Sequence, residues 1–185
     1  MTVPNDVLTD TEVVDRVRHG DRDAFRVLVH RYQDSLYRTA VSMVQDRDVA
    51  ADVVQATFVK AFSDIRKLDE GSNFGGWAYR SCVNRCRDFL KSQRRHDLAL
   101  EDAPPASLQS RDRPDTALDR AELRRSLDSA LSTLSDEYRE AFVLKHVEEK
   151  SYEAMAQVLN ASVPALKMRV HRAREALKTA LEEVL

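Results

Sequence analysis

The sequence has little glycine, proline and cysteine: its 185 residues include four glycines, five prolines and two cysteines. Together with the high share of charged residues (32%), this composition is typical of helical proteins and excludes a collagen-like or low-complexity chain. Two cysteines are too few for a disulfide framework, and the spacing of Cys82 and Cys86 is not that of a zinc finger. We therefore expect an all-α protein that needs no metal.

Long apolar runs and catalytic motifs are missing as well. No stretch approaches the roughly 18 apolar residues that a membrane span needs, and residues 1–14 contain neither a basic leader nor an apolar core for export. No GxSxG, HExxH or phosphate-binding glycine loop is present, and the five histidines are scattered along the chain. We expect a cytoplasmic protein with no membrane insertion, no cofactor, no catalytic residues and no enzyme activity.

An excess of positive charge is also absent, but the charge is unevenly distributed. The formal net charge of −2 argues against a protein that coats nucleic acid. Residues 77–96 contain six Lys or Arg and one acid, and residues 163–178 contain five and one, whereas residues 97–119 contain six acids and two bases. The chain therefore carries two basic segments separated by an acidic one, a pattern that the net charge hides.

The acidic segment also divides the chain. Residues 97–117 hold three of the five prolines, among Ser, Asp and Ala, which predicts an extended linker. The sequence therefore predicts one small helical domain over residues 1–96 and a second over residues 118–185.

In the first domain, apolar residues at three- and four-residue steps predict buried helix faces. A short helix over Asp10 to His19 precedes them and stops at Gly20. One buried face is formed by Phe25, Leu28, Val29, Tyr32, Leu36 and Met43. The next is formed by Val54, Phe58, Ala61, Phe62 and Ile65.

A third helix, over about residues 75 to 94, has an apolar side and a basic side. Ala78, Cys82, Cys86 and Phe89 share the first, and Arg80, Asn84, Arg87, Lys91 and Arg94 share the second. The position of the two cysteines favours packing in the core over a redox or metal role. A solvated helix face usually mixes charge signs, whereas this basic side has almost no acids. Trp77 projects near it, which suits stacking on unpaired bases or packing against the preceding loop.

The second domain contains a helix-turn-helix pattern. It begins with a stripe of Leu123, Leu127, Ala130, Leu131 and Leu134, and Ser135 can cap the next helix. Ser151 can then cap a helix that Asn160 ends in a left-handed conformation, and Ser162 can cap the last helix, with Pro164 in its first turn. On that last helix Lys167, Met168, His171 and Arg172 project outward. Such a helix fits the DNA major groove, although other helical hairpins share the pattern.

These segments together resemble the bacterial sigma factors, specifically the extracytoplasmic-function (ECF) group of the sigma-70 family. DRDAFRVLVHRYQDSLYRTA is similar to the start of sigma domain two, DVAADVVQATFVKAF to its polymerase-binding helix, and FGGWAYRSCVNRCRDFLKSQRR to its promoter-melting helix. Residues 131–177 are similar to sigma domain four throughout. The resemblance implies two helical domains, a domain-two bundle and a domain-four helix-turn-helix, joined by the acidic linker.

The resemblance further implies a transcription initiation factor that directs core RNA polymerase to promoters and helps melt the minus ten element. The implied partners are the clamp helices and flap of core RNA polymerase, promoter DNA and an anti-sigma factor. Contacts with polymerase are implied for Asp52, Gln55 and Phe58. Contacts with the minus ten element are implied for Ser72, Asn73, Phe74, Trp77, Arg80, Asn84, Arg87 and Lys91. Contacts with the minus thirty-five element are implied for Lys167, Met168, Arg169, His171, Arg172 and Arg174.

Two other functions remain open at this point. An autonomous helix-turn-helix regulator would use the first domain as a sensor or dimeriser and would bind a specific DNA fragment alone. A mimic that sequesters an inhibitor of sigma factors would not need two basic helix faces, and their presence disfavours it.

Overall fold

The computed structural model describes residues 8–68, 73–99 and 118–182, with side chains described for 8–68, 73–96 and 126–182. Every regular element in these ranges is helical, as the composition predicted. The α-helices are α1 (Asp10–Arg18), α2 (Phe25–Val44), α3 (Arg47–Asp64), α4 (Phe74–Ala99), α5 (Leu118–Thr133), α6 (Asp136–Phe142), α7 (Tyr152–Leu159) and α8 (Val163–Glu182). Two 3₁₀ turns (Arg22–Ala24 and Ile65–Lys67) and a π-helical segment (Val143–Val147) complete the set. Across the described ranges, none of these helices is both long and apolar enough to cross a bilayer.

Local sequence explains where α1 begins and ends. The Thr9 hydroxyl accepts a hydrogen bond from the Glu12 backbone N–H at 3.3 Å, and the Glu12 carboxylate accepts one from the Thr9 N–H at 2.7 Å. This reciprocal pair is a capping box. After α1, Gly20 has a φ of 105°, a backbone conformation that glycine adopts without strain. The predicted helix and its stop at Gly20 are confirmed.

The predicted helix-turn-helix is also present. The Ser151 hydroxyl accepts from the Ala154 N–H at 3.1 Å, and the Ser162 hydroxyl accepts from the Ala165 N–H at 3.4 Å. Between the two helices, Asn160 has a φ of 50°, the left-handed conformation expected after a helix end. Side-chain caps therefore define the turn between α7 and α8.

Helices α1 to α4 pack around a core in which Leu28, Leu36 and Met43 of α2 are buried. Cys82 and Cys86 on α4 are both fully buried with free thiols, as their apolar stripe predicted. The described residues contain no cluster of His, Cys, Asp and Glu that could hold a metal.

Among the residues whose side chains are described, which do not include Leu123, two that were predicted to be buried are exposed. Phe62 is 39% exposed, although one side of its ring meets Phe25 edge-on at 5.2 Å between centroids. Leu127 is 38% exposed on α5, a helix that packs mainly against α8.

The two predicted domains touch each other. One hydrophobic core runs from α1–α4 into the second half of the chain, where it includes Ala141, Leu144, Met155 and Val158. Helix α5 and the end of α8 form a second, smaller cluster. Helix α4 continues to Ala99, three residues past the predicted domain end, and residues 100–117 of the predicted linker lie outside the described residues.

Candidate nucleic-acid interface

Helix α4 begins with a polar cap and a buried aromatic ring. The Asn73 side-chain oxygen accepts from the Gly76 N–H at 2.9 Å, so Asn73 caps the helix. Phe74 follows, fully buried, with its centroid 6.4 Å from that of Phe25. The expectation that Phe74 contacts DNA is corrected, because its ring is a core residue that anchors the helix start. Ser72 lies outside the described residues.

Next on α4, Trp77 lines a surface pocket of about 390 Å³. Its ring is half-buried and lies 6.3 Å from Phe74 between centroids, so one side packs on the helix start. The other predicted residues in the pocket wall are Arg80 and Asn84. The two alternatives for Trp77 are therefore compatible: one side of the ring packs on the helix start, and the ring also lines a pocket that a ligand can reach.

Sequence reasoning missed the other lining residues of this pocket. Ser81 and Arg85 lie four and eight residues after Trp77 and therefore share its face of α4. This spacing is the signal in the sequence that could have identified them. Asp88 of α4 also lines the pocket. Lys60 comes from α3, and only the packing of α3 on α4 places it there. The Arg85 Nε–H is buried without a hydrogen-bond partner within the described part of the chain.

Three predicted cations of α4 contact the second half of the chain. Arg87 binds both carboxylate oxygens of Glu140, at 2.7 and 2.6 Å. Arg80 Nε donates to the backbone carbonyl of Gln157 at 2.9 Å, and Arg94 pairs with Asp136. The bond to Glu140 raises the pKa of the Arg87 guanidinium. Lys91 remains exposed.

A second carboxylate from the second half of the chain, that of Glu148, also contacts α2 and α4. Glu148, whose side chain is 3% exposed, accepts from Arg38 Nε at 3.1 Å and from the Tyr79 hydroxyl at 2.8 Å. Burial, together with the bond to Glu148, raises the pKa of Tyr79. The ammonium of Lys150 lies 4.1 Å from the centroid of the Tyr79 ring.

Helix α8 presents an open basic face. Of the six predicted residues, five are exposed: Lys167, Met168, His171, Arg172 and Arg174. Arg169 is only partly exposed and pairs with Glu137 at 3.0 Å, so its charge is already partnered. The Met168 side chain is 53% exposed and is the large apolar residue of this face.

An apolar groove of about 460 Å³ lies between α2 and α3. Gln55 and Phe58, two of the three residues predicted to bind polymerase, line it, while Asp52 is exposed and does not. Tyr37 of α2 and Val59 of α3 also line the groove and are 36% and 64% exposed. Sequence reasoning used α3 alone and therefore missed the α2 wall.

Comparison with known proteins assigns both halves of the chain. The family model for Sigma-70 region 2 matches residues 28–96, and the model for Sigma-70 region 4 matches residues 124–177. The ECF RNA polymerase sigma-E factor of Haemophilus influenzae is 32% identical over 186 residues, covering 96% of this chain and 98% of that protein. The chain belongs to the ECF sigma factors of the sigma-70 family.

A further relative and two solved structures support the same family. The ECF RNA polymerase sigma factor SigW of Bacillus subtilis is 30% identical, covering 92% of this chain and 96% of its own. The solved structure of CnrH in complex with the cytosolic domain of CnrY matches with a TM-score of 0.74 and 28% identity, covering 94% of this chain and 97% of that one. The sigma factor RpoE of Bartonella quintana, solved with the anti-sigma factor NepR, gives a TM-score of 0.68 and 27% identity, covering 85% and 96%.

Matches to both regions confirm the predicted family and favour a sigma factor over an autonomous regulator. The groove and the α4 pocket lie within the region 2 match, and the exposed face of α8 lies within the region 4 match.

Proposed function

We propose that this sigma factor is a cytoplasmic, non-enzymatic initiation factor that binds core RNA polymerase, directs it to specific promoters and helps melt the minus ten element. The observation that carries the proposal is that one chain combines the two sigma regions with an apolar groove, an aromatic pocket and an open basic helix. We assign residues 1–96 to domain two, 97–117 to a linker and 118–185 to domain four.

The groove between α2 and α3 is the proposed docking surface for the clamp helices of the polymerase largest subunit. Its lining is mainly apolar, and Val59 and Tyr37 leave apolar area in contact with water. Burial of such area drives protein association, while polar side chains such as Gln55 fix the orientation of the partner. Asp52, which is exposed on α3 outside the groove lining, is the proposed charged contact with the same partner.

The α4 pocket is the proposed site for an unpaired base of the opened minus ten element. Unstacking duplex DNA costs on average about 1.4 kcal/mol per step, and stacking one base on an aromatic ring returns about 1–3 kcal/mol. Trp77 supplies that ring and Asn84 supplies hydrogen-bonding groups, while the positive charges of Lys60, Arg80 and Arg85 outnumber the single negative charge of Asp88 and favour a strand that carries phosphates. Melting then follows from binding energy, without a chemical step.

The exposed face of α8 is the proposed reader of the minus thirty-five element. Lys167 and Arg172 offer charged donors for phosphates and guanine edges, and Met168 offers apolar contact. Domain four is also the proposed partner of the polymerase flap. Polymerase would hold both DNA-binding surfaces at a fixed spacing, which raises the effective concentration of the second contact.

An anti-sigma factor is a further proposed partner. The relative from Bartonella quintana was solved with an anti-sigma factor, and the match to it covers 85% of this chain. The same two-region architecture in the present chain supports a partner of that class.

Reconstitution with core RNA polymerase tests the proposal. Core enzyme with the protein should start transcription at a defined set of genomic positions, whereas core enzyme alone should not. The protein alone should leave the same promoter fragments unshifted in a gel. A specific shift by the protein alone, without any change in transcription starts, would identify an autonomous regulator instead.

A further inference from the structure

The α4 pocket contains charged groups that bind nothing else in the described part of the chain. Its α4 wall consists of two rows of residues at four-residue steps: Trp77, Ser81 and Arg85 in one row, and Arg80, Asn84 and Asp88 in the other. Within the described residues, neither Arg85 nor Asp88 forms an ion pair or a hydrogen bond. Opposite charges three residues apart on a helix commonly pair with each other. Here both charges are left for a ligand.

The neighbouring polar groups of the second row are already partly engaged. Arg80 donates to the backbone carbonyl of Gln157 at 2.9 Å. The Asn84 side-chain oxygen accepts from Arg87 at 3.2 Å, so the amide N–H groups of Asn84 remain free to donate. Asn84 therefore offers donors to a ligand, and Arg80 is occupied.

These groups define the chemistry of a ligand that would fill the pocket. The Arg85 Nε–H is buried without a partner among the described residues, which is uncommon for a polar group in a folded protein. Asp88 is exposed and can only accept hydrogen bonds when it is ionised. Beside them, Trp77 provides an aromatic ring. The complementary ligand is therefore planar and carries both donors and an acceptor along one edge.

Among the four DNA bases, guanine fits this pattern best. Its N1–H and N2–H₂ groups are adjacent donors, which a carboxylate accepts through its two oxygens. The O6 atom on the same edge accepts from a guanidinium or an amide. Adenine and cytosine each present one amine on that edge, and thymine presents one N–H between two carbonyls. None of these three bases offers two adjacent donor groups to Asp88.

We propose that the α4 pocket is selective for guanine and holds one unpaired guanine of the promoter strand, with Asp88 at N1–H and N2–H₂ and Arg85 at O6. The inference rests on the proposed initiation function and deepens it, because it names the base. A free guanine nucleotide presents the same edge, and the test below separates the two sources.

The fluorescence of Trp77 tests the inference on the full chain, because the chain has one tryptophan and a base that stacks on it changes its emission. The ligands are oligothymidines of about 12 nucleotides with one central guanine, inosine, adenine or cytosine. Inosine differs from guanine only by the missing N2 amine. The test variant is Asp88→Asn. The matched control is Asp15→Asn, the same change at an exposed residue of α1 outside the pocket.

Parent and control should bind the guanine strand about ten-fold more tightly than the inosine strand, because inosine loses one hydrogen bond to a charged group. In Asp88→Asn the two strands should bind equally. Arg85→Met should weaken binding of both strands by the same factor, because both bases carry O6. Guanosine monophosphate should displace the guanine strand only far above the concentration of the strand, because it lacks the neighbouring phosphates.

Three results would overturn the inference: no binding of any strand, equal binding of the guanine and inosine strands by the parent, or a guanine preference that survives in Asp88→Asn. The comparison of guanine with inosine in the parent needs no variant, and circular dichroism spectra check that each variant is folded. Displacement by guanosine monophosphate at the concentration of the strand would identify a free nucleotide as the ligand and overturn the strand as its source.

Initiation with core polymerase separates this inference from the proposed function. If the parent directs initiation but shows no preference for guanine, the selectivity of the pocket is wrong and the initiation function stands. If the preference for guanine depends on Asp88 but no form of the protein directs initiation, the selectivity stands and the initiation function fails.

Discussion

A Cβ atom on Gly75 would lie 2.6 Å from the hydroxyl oxygen of Tyr32. The Tyr32 hydroxyl is held in place by a hydrogen bond to Asp10, and its ring packs beside the buried Phe74. Helices α1, α2 and α4 therefore meet at a position where only glycine fits, at the start of the helix that carries Trp77.

Gly75→Ala should lower the free energy of unfolding by about 1–3 kcal/mol, the usual cost of overpacking a core. Urea unfolding followed by circular dichroism measures it. The same substitution in a Tyr32→Phe background should cost less, because the atom nearest to the new methyl group is gone. An equal cost in both backgrounds would mean that the contact with Tyr32 does not decide the effect.

The start of α4 also shows what the sequence can predict and what it cannot. Caps such as Ser151 and the left-handed Asn160 were predicted, because each depends on a few neighbouring residues. The buried faces of α2 and of α4, including Cys82 and Cys86, follow from helical periodicity.

Tertiary contacts were not predictable in this way. Phe74 was expected to contact DNA, but it is the first residue of α4 and is buried against Phe25 of α2. The partner of Arg87 is 53 residues away at Glu140, and periodicity within one helix carries no information about that pairing. Lys60 joins the α4 pocket for the same reason.

Val59→Glu should weaken binding to core polymerase by more than about 1 kcal/mol while the fold stays intact. Val59 is 64% exposed in the free chain, so the substitution buries no charge until a partner covers the groove. Binding is measured by titrating core enzyme with labelled protein. Ser63→Glu is the matched control, since it adds the same charge to α3 outside the groove lining. An equal loss of affinity in both variants would mean that polymerase binds elsewhere on the chain.

Trp77→Ala and Asn84→Ala should each leave polymerase binding unchanged and reduce open-complex formation. For Trp77→Ala, the loss of one stacked base is worth about 1–3 kcal/mol, or roughly 5-fold to 150-fold. Permanganate reactivity of promoter thymines reports the open complex directly. Ser92→Ala, an exposed change later on α4, is the control. Normal thymine reactivity in both variants would show that these α4 side chains take no part in melting.

The thiols of Cys82 and Cys86 should not react with Ellman's reagent in the folded chain. Both are fully buried, and the hydrogen bond with Cys82, together with burial, raises the pKa of Cys86 well above that of a free thiol. The reactive thiolate is therefore scarce at neutral pH. Two equivalents should appear only after denaturation in guanidinium. Rapid reaction of either thiol without denaturant would instead indicate a redox-accessible site.

Met168 should read a thymine methyl group in the upstream element. Its exposed apolar side chain lies among cations on α8, and apolar contact distinguishes thymine in the major groove. In duplexes that were selected for binding to the holoenzyme, replacing one thymine by uracil should weaken binding by about 0.8 kcal/mol, the value of one buried carbon. Met168→Ala should abolish that difference. Arg172→Ala should instead weaken binding by about 1–3 kcal/mol and keep the preference for thymine, because it removes a cation and leaves the methyl contact. A uracil penalty that survives in Met168→Ala would assign the methyl contact to another residue.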